Sequence, residues 1–327
     1  MKAIVIEKRN GKVVPEYKEI SEKGLPAGEV IIDVTHSALN YSDAATMYNI
    51  WETVEDFPHI PGIDFIGTVA ESKHPDFKRG ERVMHTSHGV GYNRWGGLAE
   101  KAISNGDWLV RVPDNISSQQ AMGLGTVGLT SMLAIHALEA NGVVPEDGKI
   151  LVTGATGGVG SLSIQLLAKL GYTVVASTGK IDESSDYLKK LGANEVISRS
   201  VFNEKTDTPM ETETYAGFID CVGGNTLSRA VKQLQYEGVG VATGVVTGVD
   251  LDVKLVPFIY RGITLVGINS VYTSKKRRTQ AWQHLFELIN LETLDAAITV
   301  KPLSDVPALA KQTLEGGHEG RIVVSIK

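Results

Sequence analysis

The sequence predicts an α/β chain of two domains: a doubly wound parallel sheet, set inside a second, mainly-β domain that the chain leaves and re-enters. Three observations carry this. At 327 residues the chain exceeds the size at which one hydrophobic core stops growing. From Met1 to Asn105 short β-branched runs are broken by turn residues. Beyond Ser117, strand-like runs alternate with amphipathic helical stretches, the pattern of a parallel sheet covered on both faces. The expected domains are 1–122 for the first part of the mainly-β domain, 123–268 for the parallel-sheet domain and 269–327 for a return segment.

In chain order, the opening strands fall at 3–6, 30–34, 67–70, 81–84 and 98–102, each short and bounded by turn formers. Pro and Gly force loops at 57–62 and 88–91. Apolar residues take helical spacing over 121–139, and Asn141-Gly142 stops that helix. There follow strand 150–153 and helix 159–170, strand 173–176 and helix 182–191, strand 195–197, strand 217–221 and helix 225–234, then strands 239–243 and 264–268. A long helix from about Tyr272 through Trp282 to Leu291 and a last strand at 321–326 close the chain.

Composition narrows the function. Thirty-two basic against 38 acidic residues give a net charge of −6, and the one basic run, Lys275-Lys276-Arg277-Arg278, reads as a solvated helix start, so no nucleic-acid partner is expected. A single cysteine, Cys221, excludes an internal disulfide framework and a cysteine-rich zinc site, and suits a reducing cytosol. The N-terminus reaches Glu7 after few apolar residues, and no run approaches about 18 uninterrupted apolar positions, so neither signal peptide nor membrane span is expected. The chain reads as cytoplasmic.

The sharpest motif is Ile150-Leu151-Val152-Thr153-Gly154-Ala155-Thr156-Gly157-Gly158-Val159-Gly160, a buried strand running straight into a helix. A Rossmann turn that binds a dinucleotide is expected, the alternative being a glycine-rich strand-to-helix turn with no ligand: glycine lets the backbone approach a pyrophosphate, and the helix N-terminus offers free N–H groups and a positive dipole end. Thr156, Gly157, Gly158, Val159 and Gly160 are the expected contacts. Ala155 breaks the literal G-x-G-x-x-G spacing. The next strand ends in Ser177-Thr178-Gly179-Lys180, with no acid to accept from a ribose 2′-hydroxyl. Ser177, Thr178, Lys180 and, after the third strand, Arg199 suit a 2′-phosphate instead, so NADPH is favoured over NADH. The alternative makes Lys180 and Arg199 ordinary surface cations.

The whole chain resembles the zinc-free medium-chain dehydrogenases/reductases, most closely the YhdH/YhfP-type quinone oxidoreductases, a branch that includes acrylyl-CoA reductases. The resemblance rests on residues 37–43, 58–69, 89–91 and 95–100, on Gly106-Asp107-Trp108-Leu109-Val110, on the turn 154–160 and on Arg277-Arg278-Thr279-Gln280-Ala281-Trp282. It implies a GroES-like catalytic domain around the Rossmann domain, a homodimer, and NADPH-dependent reduction of an activated double bond. Zinc-containing relatives carry Gly-His-Glu where Gly62-Ile63-Asp64 stands here, so no metal is expected. The histidines show no H-E-x-x-H spacing, and His36, His59, His85 and His88 read as turn or core residues.

Without a metal, conjugate reduction is the easier chemistry. Hydride addition to the β-carbon of an enone or enoyl thioester spreads charge into an enolate that hydrogen bonds can hold, whereas a simple ketone leaves a localised alkoxide. The resemblance places Tyr41 against the nicotinamide ribose, where its hydroxyl can donate to a carbonyl or relay a proton; Asn40, the second candidate catalytic residue, holds the loop or the cofactor. Asp43 either orients these two or caps a helix, and Asp64 is a buried structural acid or a catalytic one. Val245 and Ser270, at strand ends, wall the nicotinamide, and the resemblance adds Ile259 and Arg321 near the cofactor. Arg321 and Lys275 to Arg278 are also candidates for substrate phosphates. The expected substrate is a small enoyl thioester such as acrylyl-CoA. The alternatives are a quinone or enal, or a non-catalytic NADPH-binding sensor or structural protein.

Overall fold

The short N-terminal runs, joined by turns such as Asn10-Gly11, pair antiparallel with one another. The computed structural model describes residues 1–317 and 319–327 and divides into two units, Met1–Thr126 with Leu291–Lys327, and Val127–Asn290. In the first unit, β1 (Lys2–Arg9) and β2 (Lys12–Glu19) form a two-stranded sheet. A seven-stranded sheet takes β3 (Val30–Leu39), β4 (Asp64–Ser72), β5 (Arg82–Thr86) and β7 (Leu109–Arg111) from the opening, and β14 (Ile298–Pro302) and β15 (Arg321–Ser325) from the return. Its order is β14-β15-β3-β4-β5-β7, with β6 (Lys101–Ser104) also on β3. β15 pairs antiparallel with β3, so the chain's last strand completes the sheet its first third began.

The first unit is less purely β than expected. Helix α1 (Tyr41–Met47) follows β3 and packs on α9 (Val306–Leu314) of the return. The strand expected at 98–102 begins only at Lys101; Ala99 makes a single bridge to Ala3. Ile32, Val34, Phe65, Met47, Val306 and Val324 share one buried cluster, which ties sheet and helices together.

The second unit is a six-stranded parallel sheet of β8 (Lys149–Thr153), β9 (Thr173–Thr178), β10 (Glu195–Ser198), β11 (Tyr215–Asp220), β12 (Leu234–Ala242) and β13 (Thr264–Gly267). Its order, β10-β9-β8-β11-β12-β13, reverses direction between β8 and β11, the doubly wound arrangement that places ligands beyond the strands' C-terminal ends. Helices α3 (Gly158–Lys169), α4 (Ile181–Lys190) and α5 (Gly224–Lys232) follow β8, β9 and β11.

The unit boundaries differ from those expected. Helix α2 (Ser118–Ala140) is broken at Gly125 (φ 42°), and the chain passes between units just after the break. Only glycine fits there, because a Cβ would lie 2.6 Å from Asp64 Oδ2. Residues 269–290, expected in the return segment, belong to the second unit. Helix α7 (Lys275–Leu288) buries Arg278, Ala281, Trp282 and Leu285 there, and His284 meets His136 of α2 at 3.0 Å. Helix α2 has the length and apolarity of a membrane span, yet 94% of its most apolar window is buried inside the protein, as in a core helix.

Candidate functional site

The turn between β8 and α3 is built by its glycines. Gly154 takes φ 59°, and Gly157 N donates to Gly154 O at 2.9 Å. Gly160 passes so close under the turn that a Cβ would stand 2.4 Å from Gly154 O. The first helical bond runs from Ser161 N to Gly157 O, so the N–H groups of Gly158, Val159 and Gly160 have no acceptor in the helix. No side chain caps them. Gly157 is exposed, while Thr156, Gly158 and Val159 are half-buried. Below the turn, Thr153 Oγ1 donates to Asp220 Oδ1 (2.6 Å) and Gly223 N to Asp220 Oδ2 (2.7 Å). Burial holds the Asp220 carboxyl above its ordinary pKa. This brace between β8 and β11 escapes sequence reading, since residues 153 and 220 carry no shared motif.

The structure brings together only part of the expected 2′-phosphate group. Arg199, directly after β10, lies over Gly179, where a Cβ would meet its guanidinium at 2.9 Å. Lys180 follows in the same loop. The two hydroxyls correct the expectation: Ser177 and Thr178 are 0% and 2% exposed, because they end a central strand. Ser177 Oγ has no partner, and Thr178 Oγ1 accepts from Lys180 N at 3.1 Å.

At the other end of this sheet, Val245 and Ile259 are exposed. Ser270 follows β13, and its Oγ accepts from Thr130 Oγ1 of α2 at 2.9 Å. Its carbonyl accepts from Arg278 Nη2 at 2.6 Å, as does that of Val271 at 3.2 Å. Arg278 is therefore no solvated cation: it is 5% exposed and joins α7 to the strand end.

In the first unit, Asn40 ends β3 and precedes α1, so Tyr41 opens the helix. Asp43 Oδ2 accepts from Asn40 N and from Asn40 Nδ2, both at 2.9 Å, and its Oδ1 accepts from Ile63 N at 2.8 Å. Asp64 Oδ2 accepts from Asn40 Nδ2 at 3.0 Å and from Thr126 N at 2.9 Å, while Asp64 Oδ1 takes the Thr126 hydroxyl at 2.5 Å. One amide thus bridges two buried carboxyls, and Asn40 Oδ1 is left buried with no partner. Burial first, then the neighbouring Asp64 charge, pushes Asp43 up to about 7. Burial likewise raises Asp64, against its hydrogen bonds to Thr126 and the Arg321 charge.

Asp43 orients Asn40, as one expectation had it, but it is not the N-cap: Asn40 is, and Asp43, at the third helical position, accepts the Asn40 backbone N–H and side-chain amide. Tyr41 is half-buried, and its ring centroid lies 6.0 Å from that of Trp51, an exposed aromatic that sequence reading passed over. Arg321 is corrected. It is 3% exposed, and its Nε donates to Gly123 O at 3.0 Å, so the guanidinium braces the first unit beside Asp64 and is not presented to a ligand. Among the described residues no group of three His, Cys, Asp or Glu is placed to hold a metal ion. A cavity of about 370 Å³ in the first unit, walled by Trp95, Trp108 and His59, is lined by none of the candidate residues.

Residues 26–114 match the alcohol dehydrogenase GroES-like domain and residues 158–290 the zinc-binding dehydrogenase domain. The probable acrylyl-CoA reductase AcuI of Escherichia coli is 42% identical over the full length of both chains. The chain belongs to the medium-chain dehydrogenase/reductase family. Within it the chain is of the quinone oxidoreductase type, an oxidoreductase with a GroES-like domain and a Rossmann domain. The yhdH oxidoreductase of Salmonella enterica, solved in complex with NADP, superposes with a TM-score of 0.96 at 43% identity over all of both chains. The Bacillus subtilis protein yhfP, solved with NAD bound, gives 0.94 at 39% over 99% of both.

Proposed function

We propose that this reductase uses NADPH to reduce the C=C bond of a small enoyl thioester of the acrylyl-CoA kind, without zinc. The observation that carries it is the glycine-built turn 154–160, whose three uncapped N–H groups and helix dipole suit a diphosphate. The residues present fit the cofactor: Lys180 and Arg199 would hold its 2′-phosphate, and Val245, Ile259 and Ser270 its nicotinamide end. When bound, NADPH would supply a hydride to the β-carbon, and a proton from solvent would complete the α-carbon.

The chain's own part is to bind and orient. The Tyr41 hydroxyl donates to the thioester carbonyl, where negative charge develops, and Asn40, held between Asp43 and Asp64, fixes the start of α1 beneath it. The probable acrylyl-CoA reductase of Escherichia coli supports the thioester, and the Salmonella oxidoreductase solved with NADP supports the phosphorylated cofactor. A quinone or enal is the alternative substrate, supported by the putative quinone oxidoreductase YhfP at 39% identity. We also propose a homodimer, supported by the half-buried edge strand β13 and the exposed Val246, Val249, Leu255 and Tyr260 of the same unit, working in the cytoplasm.

The test is an assay of purified protein with NADPH or NADH against acrylyl-CoA, crotonyl-CoA, a quinone and an enal. The expected result is saturable oxidation of NADPH, fastest with acrylyl-CoA. A preference for quinone would select the alternative, and failure of both nicotinamides to bind would end the proposal.

A further inference from the structure

We propose that His136 and His284 form a positioning pair for the cofactor-side corner at Ser270, and that their shared hydrogen bond makes NADPH binding sensitive to pH. The inference rests on Ser270 as a wall of the nicotinamide site.

Ser270 is held from two sides. Thr130 of α2 donates to its hydroxyl, and Arg278 of α7 donates to its carbonyl. The same two helices meet again at His136 and His284, whose Nε2 and Nδ1 lie 3.0 Å apart with the rings stacked at 19°. His136 follows Thr130 by six residues and His284 follows Arg278 by six, which is about 9 Å along each helix. Two cross-links at matched spacing therefore fix α7 against α2, and the corner they both grip is fixed with them. Trp282 and Leu285, buried between the two ties on α7 and just past them, supply apolar packing but no direction.

An N–H···N bond needs at least one neutral imidazole. When both rings carry a proton, two cations face each other at hydrogen-bond distance and the bond becomes repulsion. Arg277 on α7 adds positive charge near His136, while Glu139 and Glu287, one turn further along their helices, are exposed. Burial, the His284 charge and Arg277 all hold His136 below its ordinary pKa. The folded state thus takes up fewer protons here than the unfolded chain. The bond is whole at and above the ordinary imidazole range, about pH 6.5, and is lost as pH falls through the lowered value of His136.

The experiment is NADPH titration of wild type, His284→Gln and His136→Phe between pH 8 and pH 5.5, with thermal melts at each pH. The 2′-phosphate titrates in all three alike, so only differences between them count. His284→Gln keeps a hydrogen-bonding partner that does not ionise, and its Kd should rise at least about threefold less than that of wild type on acidification. His136→Phe should bind about threefold more weakly at pH 8 and show the same shallow profile. Parallel profiles in three proteins that bind NADPH and melt normally would overturn the pair while leaving the proposed function intact. Wild type that binds no NADPH at pH 8 would overturn both.

Discussion

Replacing Gly160 and Gly157 separately by alanine distinguishes a turn that merely folds from one that holds a diphosphate. At Gly160 the new Cβ would lie 2.4 Å from Gly154 O and 2.8 Å from Ala155 Cα. Ordinary contacts need close to 1 Å more, and both obstacles are backbone. Gly154 O is also the acceptor that closes the turn, so it cannot retreat without opening it. Overpacking of this kind costs about 1–3 kcal/mol, offset by about 1 kcal/mol of helix propensity gained over glycine. The expected stability loss is therefore only about 0–2 kcal/mol.

Cofactor binding should suffer more. A turn displaced by several tenths of an ångström misaims N–H groups whose bonds to a charged oxygen are worth about 1.5–3 kcal/mol each, and losing two gives at least about 100-fold in NADPH Kd. At Gly157, φ is −77° and the nearest atom to a new Cβ is Gly154 O at 3.3 Å. That methyl fits the fold but stands on the exposed side of the turn, so Gly157→Ala should keep its melting temperature and still weaken NADPH by about tenfold. Titration by cofactor fluorescence, with thermal melts beside it, reads both quantities. Unchanged Kd in both variants would refute the assignment of this turn to the diphosphate.

Lys180→Glu should raise the NADPH KM by about 10-fold or more and leave the NADH KM nearly unchanged, since only NADPH carries the phosphate; equal effects on both would remove Lys180 from that site. Burial pushes the folded-state pKa of Asp43 up to about 7 from an ordinary 3.8, so the stability it contributes as the neutral acid is present below pH ~4 and lost as pH rises towards 7. Asp43→Asn should flatten the dependence of melting temperature on pH over that window, while costing about 1–3 kcal/mol throughout because an amide cannot accept all three of its hydrogen bonds; an unchanged slope would show that another group titrates. Prolonged dialysis against a chelator should leave the rate with acrylyl-CoA unaltered, and a loss restored by zinc would refute the metal-free proposal.

The parallel-sheet unit was legible because its signals are local. Most of its strands are apolar runs, helices follow β8, β9 and β11 at once, and the turn at Gly154 sits between the first such pair, so chain order and most boundaries can be read within a few residues. The first unit was legible only in outline. Its β14 and β2 lack strong alternation, and Tyr41–Met47 is a seven-residue helix whose start depends on Asp43 reaching back to Asn40. The site residues divide in the same way. Gly157, Gly160 and Arg199 are placed by local chain geometry, whereas Arg321 and Arg278 resemble ligand-binding cations in sequence and turn out to donate to carbonyls inside the units. A cation's partners lie 7 to 199 residues away in these two cases, beyond what spacing can reveal.

The cluster around Asn40 is poorly explained as a stabilising device. It buries two carboxyls whose pKa values both rise, one of them to about 7, and it leaves Asn40 Oδ1 without a donor. Buried unsatisfied acceptors cost about 1–3 kcal/mol, and an apolar core of the same shape would avoid both penalties. What the cluster does achieve is convergence. The end of β3, the Ile63 amide and the chain just after Gly125 are all tied to Asp43, Asn40 and Asp64. The residue fixed by that convergence is the next one, Tyr41, because the first residue of a helix inherits its direction from the cap. Strain and unpaired polarity of this kind collect where a side chain must be aimed, which supports the proposed role of Tyr41 over one for the tryptophan-walled cavity elsewhere in the first unit.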